Sequence, residues 1–91
     1  MDNYEMCEKL CSSFVKFLDD KKIKNFEYRA MLSLETADKL KLINHYIKPF
    51  KNNIDTLIID SFEKTGSKLE DYLPEDINKL KQFLSAFSEL I

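Results

Sequence analysis

The stretch Pro74-Glu75-Asp76-Ile77-Asn78-Lys79-Leu80-Lys81-Gln82-Phe83-Leu84-Ser85-Ala86-Phe87-Ser88-Glu89-Leu90-Ile91 decides the fold class. Ile77, Leu80, Leu84, Phe87 and Ile91 recur at intervals of 3, 4, 3 and 4. That is the period of a helix with one apolar face. Phe83, Ala86 and Leu90 flank this stripe and widen it. Pro74 suits the first helical position, where its missing N–H would have no intrahelical partner. Glu75 and Asp76 place negative charge against the positive end of the helix dipole.

Working outward, the same spacing stands at the other end of the chain, in Tyr4, Cys7, Cys11, Phe14 and Leu18, with Leu10 and Val15 at its edges. Asp2, followed three residues later by Glu5, is a carboxylate form of the capping box that opens a helix. Two helices with matching apolar seams are suited to pack side by side. They would equally suit a homodimer seam, which adds burial to a small domain with much surface for its volume.

Between them the pattern is less regular. Asn25 can cap a helix through Phe26, Ala30 and Leu34, and the apolar stripe then slips phase near Glu35–Ala37, which predicts a break. Ser33 or Thr36 can cap the next helix, carrying Leu40, Ile43 and Ile47 to a stop near Lys48, because Pro49 disfavours helical geometry in the residue before it. Asn52 or Asn53 can cap a further helix through Ile54, Leu57, Ile58 and Phe62. Gly66 stands where a left-handed residue would close it. The run Thr56–Ile59 has strand character but no partner strand. The expectation is an all-α fold: one domain, residues 1–91, forming a small antiparallel bundle of four to five helices near 3–19, 26–34, 36–48, 53–65 and 74–90.

Composition narrows function by exclusion. A single glycine leaves no glycine-rich loop for a phosphate. The longest apolar runs are three residues, Ala30–Leu32 and Leu57–Ile59, far below a membrane span. The first residues are acidic and hold no apolar h-region, so a cytoplasmic protein without membrane contact is expected. Cys7 and Cys11, one helical turn apart on the apolar seam, read as small core hydrophobes, since a zinc site needs more ligands than these and the sole His45 supply. His45 has neither an accompanying nucleophile motif nor a glycine elbow. The acidic pairs Asp19/Asp20, Glu70/Asp71 and Glu75/Asp76 have no matching second motif. No catalytic residue, metal or cofactor is therefore expected, and the protein is read as not an enzyme.

The charge is divided along the chain: −3 over residues 1–20, +5 over 21–51 and −4 over 52–91. Lys21, Lys22, Lys24, Arg29, Lys39, Lys41, Lys48 and Lys51 carry the basic middle, and Tyr28, Tyr46 and Phe50 interleave it with aromatic rings. Such a face suits the acidic surface of a larger protein, or nucleic acid. Thirteen lysines against one arginine argue against base-specific reading, which favours arginine's rigid fork. The expected function is a non-enzymatic helical protein-binding module, a small inhibitor or regulator of the immunity-protein, phage-inhibitor or chaperone format in size and composition. Lys21, Lys22, Lys24, Arg29, Lys39, Lys41, Tyr46, Lys48 and Lys51 are the candidate contact residues, and a nucleic-acid-binding regulator using the same face is the alternative.

Overall fold

A computed structural model describes residues 2–23 and 33–90. The described residues form four α-helices and no strand, an all-α fold. They are α1 (Asn3–Asp20), α2 (Thr36–Leu42), α3 (Ile54–Thr65) and α4 (Pro74–Ser88). A π-helical turn, Ile43–Ile47, and a 3-10 turn, Lys48–Phe50, continue from α2, and a second 3-10 turn, Leu69–Asp71, precedes α4. The expected helix at 26–34 lies, apart from its last two residues, outside the described residues, as does its cap Asn25.

α1 begins as its sequence predicts, with Asp2 Oδ1 accepting a hydrogen bond from the Glu5 amide at 2.9 Å. Its end is less expected. The Ile23 amide donates to the Leu18 carbonyl at 2.8 Å and the Lys22 amide to Asp19 at 3.2 Å. This is a Schellman closure, and it puts Lys22 at φ 58°, a left-handed conformation costly for a residue with a Cβ. Ile23 and Leu18 are both fully buried and form the apolar pair that accompanies this motif. α3 ends in the same way: Ser67 donates to Phe62 and Gly66 to Glu63, with Gly66 at φ 75° as its position predicts.

The break before α2 falls at Glu35, which is extended. Neither Ser33 nor Thr36 caps the helix. Thr36 is its first residue, and its hydroxyl donates to the Glu8 carboxylate on α1 instead. Asn53 does occupy the cap position of α3, but without a side-chain cap bond. The expected continuous helix 36–48 is also corrected. Pro49 has no N–H to offer the carbonyl four residues earlier, and the turn ahead of it widens, Lys48 donating to Ile43. Ile43 and Ile47 stay fully buried through this change of pitch.

α4 lies between α1 and α3. Phe14 meets Phe87 and Phe83, Phe17 meets Phe83, and Met6 and Leu90 line one depression at the opposite end, so residue numbers run in opposite senses along the two helices. The ring centroids are 5.1–5.4 Å apart, a packing worth about 0.5–1.5 kcal/mol per pair beyond area burial. Lys51 pairs with Glu89 and Asp55 with Lys81, so α3 is antiparallel to α4 as well. Buried hydroxyls on Ser61 and Ser88 return to the carbonyls of Leu57 and Ser85 and stay satisfied.

Candidate functional site

Folding scatters the basic stretch and neutralises much of it. Lys21 pairs with Asp76 at 3.5 Å, Lys51 with Glu89 at 3.2 Å, and Lys41 with Asp38 at 4.0 Å. Lys39 is only 6% exposed and reaches Glu8 of α1 at 3.1 Å, which leaves it almost no surface to offer a partner. Lys22 is exposed and Lys48 half-buried. Lys24, Arg29 and Tyr28 lie outside the described residues. Tyr46 is 51% exposed and meets the exposed His45 ring edge-on at 4.8 Å, whereas Phe50 packs against the core. Acids from the terminal segments, Glu8, Asp76 and Glu89, thus fold back onto three lysines of the basic middle.

Glu8, Thr36 and Lys39 form a polar clasp between α1 and α2. The Glu8 carboxylate accepts from the Thr36 hydroxyl and from the Lys39 ammonium, at 3.1 and 3.4 Å to its two oxygens. The Thr36 bond first, then Lys39, holds the Glu8 carboxyl below its ordinary range. Beneath it, Cys7 and Cys11 are buried free thiols. Burial pushes both up, Cys11 to about 12. At neutral pH they are protonated, and the thiolate is the reactive form. They pack as hydrophobes in the seam. Among the described residues no three His, Cys, Asp or Glu side chains converge, and no helix is long and apolar enough to cross a membrane.

Among the described residues, a continuous open feature lies elsewhere, in the furrow between α1 and α4. Two shallow depressions of about 330 and 180 Å³ adjoin there and share Leu10 and Ala86. Met6 and Leu90 extend the floor toward one end and Phe83 toward the other. Met6 is 42% exposed, and Leu10, Phe83 and Ala86 are half-buried. The polar rim is Lys9 and Ser13 on α1, and Lys79 and Gln82 on α4. Lys79 holds its ammonium 5.9 Å over the Phe83 ring, a cation–π position. No carboxylate lines the groove among the described residues.

No family model, curated protein or solved structure matches this chain. The groove residues were visible in the sequence only as stripe edges: Leu10 on one seam, and Phe83, Ala86 and Leu90 on the other. The available signal was width, because each stripe holds more apolar lines than one neighbouring helix can cover. Met6 had no such signal, and only the antiparallel register of α1 and α4 brings it to Leu90.

Proposed function

We propose that the protein is a non-enzymatic helical binding module, a small inhibitor or regulator that acts by seating part of a larger protein on the α1–α4 groove. The observation that carries this reading is the continuity of the apolar floor, from Met6 and Leu90 through Leu10 and Ala86 to Phe83. A contiguous apolar furrow with a polar rim favours a protein partner. The basic stretch supplies a weaker case, because Lys21, Lys39, Lys41 and Lys51 are engaged by acids of the same chain.

A photoreactive phenylalanine analogue placed at Gln82, on the groove rim, or at the exposed Asn52, away from it, tests the proposal in the cells that produce the protein. A discrete adduct with a larger protein is expected from position 82 and not from 52. No adduct at 82, or equal labelling from both positions, contradicts it. Binding to DNA or RNA that weakens steeply with salt, and that is lost in a Lys41→Glu/Lys48→Glu double variant, would move the contact surface to the basic stretch.

A further inference from the structure

We infer that the segment received by the groove is an amphipathic helix of about three turns whose apolar stripe is flanked by carboxylates. The inference rests on the groove being the docking surface and adds the chemistry of what docks there.

Length comes first. The groove follows α4 from Lys79 to its last residue, Ser88, and ends at Leu90 just beyond it; the helical part alone, at 1.5 Å per residue, is about 14 Å, so the whole floor is about three helical turns long. Backbone chemistry comes second. An extended segment laid on this floor would press its N–H and C=O groups against Met6, Leu10, Phe83 and Ala86 with nothing to pair them. Unpaired buried backbone groups are costly, and strand addition needs a sheet edge, whereas the described residues contain no strand. A helix satisfies its own backbone and presents side chains at i, i+3, i+4 and i+7, matching a furrow between two helices.

Lys9 stands on the α1 wall near Met6 and Leu90, and Lys79 on the α4 wall near Phe83. The two ammonium groups are thus on opposite walls and toward opposite ends. A docked helix meets one on each flank, and carboxylates on both sides of its stripe answer them. A second copy of this chain is the poorer occupant: joining two such grooves face to face sets Lys9 and Lys79 of one copy against the like-charged rim of the other, with no lining acid among the described residues to pair them.

The test uses the full chain and two synthetic helical peptides of about three to four turns. Both carry leucine at i, i+3, i+4 and i+7, and the flanks are glutamate in one and lysine in the other. In ¹⁵N NMR titrations, the glutamate peptide is expected to shift the amides of Met6, Leu10, Gln82, Ala86 and Leu90. It should bind about tenfold more tightly than the lysine peptide, the combined effect expected of two rim charge pairs. The Lys9→Glu/Lys79→Glu double variant changes only exposed side chains and should reverse the preference. Equal binding of both peptides at the groove overturns the carboxylate inference while leaving the docking surface in place. No groove shifts with either peptide overturns the helical occupant, and the Gln82 cross-link then decides the docking surface separately. Shifts at these residues that follow protein concentration alone would make a second copy the occupant and overturn the inference.

Discussion

Along α1 and α4, local pattern and packed structure largely coincide: Cys7, Cys11, Phe14 and Leu18 of one stripe and Leu80, Leu84 and Phe87 of the other are buried, whereas Tyr4 at the start of α1 is exposed and Ile77 half-buried, and Asp2 and Pro74 open their helices where their chemistry places them. In the basic stretch, described at residues 21–23 and 33–51, tertiary packing and distant partners set several local features instead. Lys22 turns left-handed as Ile23 enters the core, and Lys39 is buried against Glu8, 31 residues earlier. Thr36 serves Glu8 rather than its own helix, and Lys51 reaches Glu89. The difference separates a scaffold made by periodicity from a connector made by tertiary contacts. Periodicity placed the scaffold, and the scaffold's outer edge, rather than the charged connector, supplies the candidate surface.

Removing a scaffold anchor is the largest way to break this contrast. Phe87 is fully buried against Phe14, and Phe87→Ala is expected to cost about 3–5 kcal/mol in denaturant unfolding. A cost under about 1 kcal/mol, typical of surface positions, would mean that the seam is not the core.

The clasp joining the two regions is tested by pH. Because the Glu8 carboxyl is held below its ordinary range by Thr36 and Lys39, its contribution is complete above the unfolded value of about 4.3. It is lost as pH falls through the lower folded value. Thermal melts across the acid range should therefore show the parent protein losing stability more steeply than Glu8→Gln, with the variant less stable at pH 7. Parallel profiles would show that the clasp contributes nothing.

The smallest effect separates the two helix ends. Lys22→Gly should stabilise by about 1 kcal/mol by relieving the left-handed lysine, and Gly66→Val should destabilise by about 1–2 kcal/mol by creating such strain. A Cβ at Gly66 meets no atom within 4 Å, so the cost there is conformational rather than steric. Changes of the same sign in both variants would contradict the shared closure.

These cases also mark what the sequence could reveal. Gly66 announced its conformation because glycine alone enters it freely. Lys22 adopts the same one with no local signal, drawn there by the burial of the next residue. Pro49 announced a helix end but not the π turn before it, since keeping Ile43 and Ile47 buried depends on what they pack against. The candidate site was half legible. Stripe width foretold surplus apolar surface, but which edge stays uncovered depends on how α1 and α4 align, and the lysine count could not show that acids of the same chain would pair with Lys21, Lys39, Lys41 and Lys51.

The measurement bearing most directly on the central claim compares the two regions by the Gln82 photo-cross-link, repeated in an Ala86→Glu variant and in a Lys41→Glu/Lys48→Glu double variant, each first shown to keep the parent's thermal unfolding profile. A carboxylate on the groove floor should abolish the adduct, and reversing the connector charges should leave it intact. Loss of the adduct in the double variant with retention in Ala86→Glu would contradict the assignment of binding to the α1–α4 groove.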